Sequence, residues 1–458
     1  MPQPFDIIIR NGQVVNADGS VHLDVGIRGS KIVALSAAIE DAGETEIDAA
    51  KRLVFPGFID GHTHMGIPIM GTHSIDDFES GSVAAACGGI TTIVDFTVQQ
   101  PGEALHESVK ERLDKADSKS HVDYALHVNV TDQPHKRLVE IPELIRSGYS
   151  AFKVFSTYRE AGMMITWPEF RAVLDVVHRN GGLLFLHAED NALIEAQTAQ
   201  NVTAGHKAAI YHARSRTSEA EAKAIAAAAQ IARELDARLY IVHLSSRAGL
   251  EAALEARALG AKLILETCPQ YLVLTEEKYE QRNGHYWITT PALRTQEDTE
   301  ALWQAVAGGD IDVVATDHCP FTVEQKNAAM GTFHLTPNGL PGVETLFPLL
   351  YSYGVARGRI SQERLVELLA TAPARYLGLD ERKGTIQPGA DADIVVWNPN
   401  TPWQIQAPLM HGKADWSPYE GMDISGRVEH VFLRGQPLVT DTEFVGQQIQ
   451  GRCLHRKQ

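Results

Sequence analysis

Between residues 53 and 377 eight short apolar runs recur: LVFPGFID, ITTIVDF, VDYALHVNV, AFKVFS, GLLFLHA, RLYIVHL, AKLILET and IDVVAT. Each is followed by a stretch of helical composition. Runs of this length, rich in Val, Ile and Leu, read as strands buried on both faces. The connectors EAEAKAIAAAAQIARELDA and LEAALEARALG space their apolar residues three and four apart, which is the period of an amphipathic helix. Parallel strands need crossover helices, so eight strand-helix units predict an α/β chain with a (β/α)8 TIM-type barrel. The two ends read differently. DIIIRNGQVV and DVGIRGSKIVALS near the start, and GADADIVVWNP and GRVEHVFLRGQPLV near the finish, are β-branched runs punctuated by turn residues such as Asn11-Gly12 and Gly29-Ser30. The division expected is a catalytic barrel over 53–377 and a small β-sandwich domain built from both termini, 1–52 and 378–458.

Charge narrows the partners. Lys and Arg number 41 against 58 Asp and Glu, a net −17, which offers no general attraction to phosphate backbones or anionic lipid. Neither nucleic acid nor a membrane is expected as a partner. Cys87, Cys268, Cys319 and Cys453 form no CxxC pair, which points to thiols in a reducing compartment. The opening MPQPFDIIIRNG has no basic, apolar and small-residue series of a secretory signal, and no apolar stretch reaches membrane-span length. The expectation is a soluble, cytoplasmic protein.

In a barrel, chemistry collects where strands end and loops open. The first run leads into Gly61-His62-Thr63-His64, and residues two apart on an extended chain point to one side. The fifth run ends in His187, the sixth in His243 and the eighth in Asp317, while Lys153 interrupts AFKVF. A single histidine at a strand end is ordinarily structural. Five such groups on four strands are far harder to ascribe to chance, and imidazole with carboxylate and no thiolate suits Zn²⁺ or Mn²⁺. Lys153 has three readings from its chemistry: a lysine reaching for solvent, a desolvated Schiff-base nucleophile, or an amine carboxylated by CO₂ into a metal-bridging carboxylate.

Taken together, FPGFIDGHTHMGIP, SAFKVFSTY, FLHAED, IVHLSS, ATDHCPF and TPNGLPGVE resemble the dihydropyrimidinase and D-hydantoinase branch of the metal-dependent amidohydrolase superfamily. The resemblance runs nearly end to end, including KGTIQPGADADIVVWNP. It implies a binuclear centre: His62, His64 and Asp317 on one divalent ion, His187 and His243 on the second, and carboxylated Lys153 between them. It implies that Tyr158 hydrogen-bonds the tetrahedral intermediate and that Thr290 and Asn338 hold the cyclic amide through backbone groups, Thr290 standing where the family usually has Ser. The implied reaction is ring opening of a cyclic diamide, such as 5,6-dihydrouracil or a hydantoin, to an N-carbamoyl amino acid. A metal-bridging hydroxide attacks, Asp317 carries the proton, and no organic cofactor takes part.

Dihydroorotases of this fold carry HxHxR, whereas His64-Met65-Gly66 has no arginine two residues on, so a substrate without a carboxylate there is expected. Allantoinase is the alternative enzyme. A non-enzymatic assembly protein resembling the collapsin response mediators is the alternative of another class, weakened because every ligand position is filled. Met65, Ile67, Ile69 and Met70, with Phe155, Met163, Met164 and Trp167 around Tyr158, are apolar residues expected at the barrel mouth. Met65, Phe155 and Met163 are the candidates for a pocket receiving an exocyclic substituent. The family's homotetramer is expected, with the basic tail GQQIQGRCLHRKQ docking on another subunit.

Overall fold

The computed structural model of the chain describes residues 4–456. Each apolar run contains one barrel strand: Phe58–Thr63, Ile90–Phe96, Asp123–Asn129, Ala151–Phe155, Leu183–His187, Arg238–Ile241, Lys262–Thr267 and Val313–Val314. They pair in chain order, all parallel. Closure is made past the two-residue eighth strand, where Thr63 bridges His318 in parallel. There the His64 N–H donates to the His318 carbonyl at 2.8 Å and the His318 N–H to the His62 carbonyl at 3.3 Å. The barrel seam is therefore also the place where the first and eighth strand ends meet.

The run LVFPGFID is two strands. Leu53–Pro56 pairs with Phe5–Asn16 and Ile394–Asn398 outside the barrel, and only Phe58 onward enters it. Gly57 makes the crossing, because a side chain there would collide with Thr91 and Asp393. Leu53–Pro56 completes a nine-stranded sheet drawn from both termini, with Ile9, Val25, Ile27, Val54, Ile394 and Val396 in its core. Asn11-Gly12, read as a turn, instead lies inside the strand Phe5–Asn16, as a bulge with Asn11 at φ 60. Asp24 Oδ1 accepts the Asn11 N–H there at 2.8 Å, which satisfies the donor that the register shift releases.

Period-two alternation sorts the barrel strands. Ile59, Val94, Ala151, Leu183, Phe185, Tyr240, Ile264 and Val313 pack together in the lumen. Their neighbours Phe152, Leu184, Leu239 and Leu263 face the helices, including Ser218–Glu234 and Arg247–Ala258. The lumen's floor is sealed by Leu377, Leu379 and Leu454. The tail expected on a partner thus docks on its own barrel. Arg452 and Leu454 pair with Tyr124 through the backbone, and the Arg456 N–H reaches the Gly148 carbonyl at 3.2 Å. Burying Leu454 contributes about 1.5–3 kcal/mol, which is why the tail folds inward. Lys457 and Gln458 of that tail, like Met1–Gln3, lie outside the described residues.

Lys383 joins the two parts. Its Nζ meets Asp123 of the third barrel strand at 2.7 Å and also Asp393, while Arg434 pairs with Asp123 from the terminal sheet. The four cysteines are free thiols. Among the described residues no helix is long and apolar enough to cross a membrane.

Candidate active site

The alternation that buries leucines in the lumen also aims polar groups at its upper rim. In the fourth strand Ala151 faces inward, so Lys153 does too; in the fifth, Leu183 and Phe185 set the parity of His187; in the seventh, Ile264 sets that of Glu266. The same reasoning places His127 from the third strand. These residues form one polar layer above the apolar core.

His62 Nε2 and His64 Nε2 lie 3.2 and 3.0 Å from Asp317 Oδ1, and one donor atom from each of the three falls within 4.8 Å of the others. The seam carries this geometry, because backbone bonds on both sides of His318 lock the two strand ends together. From there the cluster continues through ring contacts, His62 to His243 at 5.5 Å and His243 to His187 at 4.4 Å. The Lys153 amine sits 5.3 Å from the ring centres of Phe96 and Phe155, and among the described residues no carboxylate pairs with it. Burial lowers its pKa to about 7, against a pull upward from Glu266 and Asp317. Burial also pushes the His62, His187 and His243 imidazoles below their ordinary range, which keeps them neutral, the form that binds metals.

Outer partners fix which nitrogen of each ring is left free. Glu266 Oε1 holds His62 Nδ1 at 2.8 Å, while its Oε2 accepts from the Tyr240 hydroxyl at 2.8 Å, so His62 Nε2 faces Asp317. Glu189 Oε2 holds His187 Nε2 at 2.7 Å and accepts from Arg216 at 2.6 Å, which leaves Nδ1 of His187 for the cluster. Such carboxylate–histidine pairs orient metal-binding imidazoles. Sequence reasoning passed over Glu189, Glu266 and His127, although Glu266 and His127 stand at inward positions near strand ends, the signal that picked out Lys153. Arg216 lies between helices, where no periodicity marks it.

Tyr158 follows the fourth strand in the left-handed region, φ 67, and His243 and Asp317 share that region at φ 40 and 53. Each such non-glycine residue costs about 1–3 kcal/mol and gathers at functional sites. The Tyr158 ring lies 5.1 Å from His187. Burial pushes that phenol well above its usual pKa, so it remains a donor. Asn338 is half-buried in a loop tied to the Thr290 segment by the Gly339 N–H on the Ile288 carbonyl, 3.0 Å. Phe155 is buried between Tyr158 and His187, and Met163 is half-buried, its N–H on the Tyr158 carbonyl. Met65 is placed elsewhere. It is 1 % exposed, packs its sulfur against Gly81 of the helix Phe78–Cys87 and holds Asp95 through its N–H, because the chain turns into the outer layer directly after His64.

The donors fit a pair of divalent ions. Four imidazoles, one carboxylate and one lysine converge without a thiolate, and His64 Nδ1 is buried with no hydrogen-bond partner. Comparison with known proteins finds relatives of nearly the same length. D-hydantoinase of Ralstonia pickettii is 40% identical over 457 residues, 99% of each chain. D-phenylhydantoinase of Escherichia coli O7:K1 is 41% identical over 455 residues, 98% of each. The crystal structure of dihydropyrimidinase from Brevibacillus agri superposes with a TM-score of 0.96 at 36% identity, covering 98% of both chains. The model of the amidohydrolase family matches residues 53–438, which takes in every barrel strand and every donor described above. This chain belongs to the amidohydrolase family.

Proposed function

We propose that the chain hydrolyses the ring amide of cyclic ureides, hydantoins and 5,6-dihydropyrimidines, to N-carbamoyl amino acids. The observation that carries the reading is the meeting of His62, His64, His187, His243, Lys153 and Asp317 at one rim of the barrel, beside Tyr158. His62, His64 and Asp317 would hold one ion, His187 and His243 the other, and Lys153, once carboxylated by CO₂, both. Zn²⁺ suits this set and Mn²⁺ is the second choice. When bound, such ions polarise a carbonyl and acidify water to a nucleophile near neutral pH.

The chain's own groups do the rest. Asp317 stays ionised, because His62 and His64 outweigh the upward push of burial. It accepts the proton of the attacking water and delivers it to the ring nitrogen as the C–N bond breaks. Tyr158 donates its hydroxyl to the oxygen that gains charge. Backbone groups at Thr290 and Asn338 hold the amide edge, and Phe155 and Met163 face the exocyclic group. The enzyme works as a homotetramer, on the resemblance to its family, and its four free thiols suit a reducing, cytoplasmic compartment.

Steady-state kinetics on hydantoin, 5-phenylhydantoin, dihydrouracil, allantoin and dihydroorotate, with metal analysis of the same sample, test this reading. Turnover of the first three with about two metals per chain is expected. Turnover confined to allantoin or dihydroorotate overturns it.

A further inference from the structure

The opposite pole of the barrel holds a second polar site. A cavity of about 420 Å³ opens there, lined by Arg146, Arg238, Arg375 and Arg456 together with Ser150 and Asn180. Ser150 immediately precedes the fourth strand, Asn180 lies just before the fifth, and Arg238 begins the sixth. Those strands run four or five residues to the metal rim, about 15 Å at the rise of a β-strand. The cavity is separate from the active site.

Its charge is out of keeping with the rest of the molecule. The chain carries net −17, yet among the described residues no carboxylate lines this cavity. Among the described residues the Arg456 guanidinium donates only to backbone carbonyls, those of Ser150 at 3.3 Å, Leu377 at 2.5 Å and Tyr376. Burial, with Arg238 adding to it, lowers the Arg456 pKa to about 9, the mark of a cation held without a counter-charge. Arg375 has one partner, Glu367 at 3.1 Å, on the exposed side. Among the described residues neither Arg146 nor Arg238 has an ion-pair partner. A folded chain gathers four guanidiniums against their mutual repulsion at a cost, and a ligand of opposite charge offsets it.

We propose that this cavity binds a multiply charged oxyanion of the phosphate class, clamped between Arg238 of the barrel and Arg456 of the C-terminal tail. Guanidinium forks match phosphate oxygens two at a time. Four of them call for more than the single charge of a simple carboxylate. Because Arg456 follows Leu454, which seals the barrel floor, the bound anion also fastens the tail to the barrel.

The test is calorimetric titration of the metal-loaded enzyme with inorganic phosphate, and with acetate at matched ionic strength. Phosphate should bind and raise the melting temperature, acetate should do neither, and kcat for ring opening should not change. Arg238→Gln, at a side chain with no hydrogen bond among the described residues, should weaken phosphate binding by at least about tenfold, the loss of one charged contact. Arg456→Gln should do the same and also loosen the tail. Phosphate binding no better than acetate, or equal binding by wild type and both variants, as expected of an anion lodged on the metals, overturns the proposal.

Discussion

The guanidinium of Arg216 lies 5.0 Å from the Tyr158 ring centre while its Nη1 bonds Glu189 at 2.6 Å. One cation thus positions the Tyr158 phenol and, through Glu189, the ring of His187. Burial pushes the Glu189 carboxyl up, but Arg216 and His187 override it and hold it at about 2. Arg216→Gln removes the counter-charge and leaves Glu189 buried. The expected losses are about 3–5 kcal/mol of stability and one of the two metals. Denaturant unfolding and metal analysis check both, and a variant with wild-type stability and metal content would refute the link.

Burial brings the Lys153 amine into the neutral pH range. An amine reacts with CO₂ only when neutral, and burial lowers this one to about 7 from an ordinary 10.5. The neutral fraction therefore grows as pH rises through 7, far below where a surface lysine would respond. Metal-stripped enzyme in ¹³C-bicarbonate should show a carbamate carbon signal at pH 8 that fades by pH 6. Lys153→Ala should show none, lose most bound metal and regain some turnover with short carboxylic acids. A Lys153→Ala variant with full activity would sink the bridging role.

Asp317→Asn keeps the shape of the side chain and an oxygen beside His62 and His64, but removes the proton acceptor. Metal should be retained and kcat should fall by about 10²–10⁴. If metal and activity vanish together, Asp317 is chiefly a ligand and the proton carrier is another group.

The architecture was legible because buried parallel strands must be apolar runs, and eight of them survive even where only Val313–Val314 is regular strand. The inner donors were legible for a related reason: charge in a run such as AFKVF has no structural use. What escaped depends on contacts distant in sequence. Pairing of Leu53–Pro56 with Ile394–Asn398 spans more than three hundred residues, and no local pattern separates LVFP from GFID. Arg216 gains its meaning from Glu189 and Tyr158, and the tail from the barrel floor, so neither composition nor spacing points to them.

Met65 and Met163 make the sharpest contrast between a sequence expectation and its structural outcome. Both are apolar residues beside site motifs, and both were expected to shape the substituent pocket. Met65 is a core residue, with its sulfur against Gly81 and 1 % exposure. Met65→Ala should therefore leave a cavity and cost about 2–5 kcal/mol of stability. It should not change the ratio of kcat/KM for 5-phenylhydantoin over hydantoin. Met163 lies on the Tyr158 loop, half-buried, its N–H on the Tyr158 carbonyl at 3.2 Å. Met163→Ala removes apolar surface without opening the core, so stability should hold within about 1 kcal/mol. The preference for the phenyl-bearing ring should fall about 5- to 30-fold, the range for apolar contacts worth about 1–2 kcal/mol. Paired unfolding curves and kinetics on the two rings decide the matter. A Met163→Ala variant that discriminates as wild type does would place the substituent against a different wall of the barrel mouth.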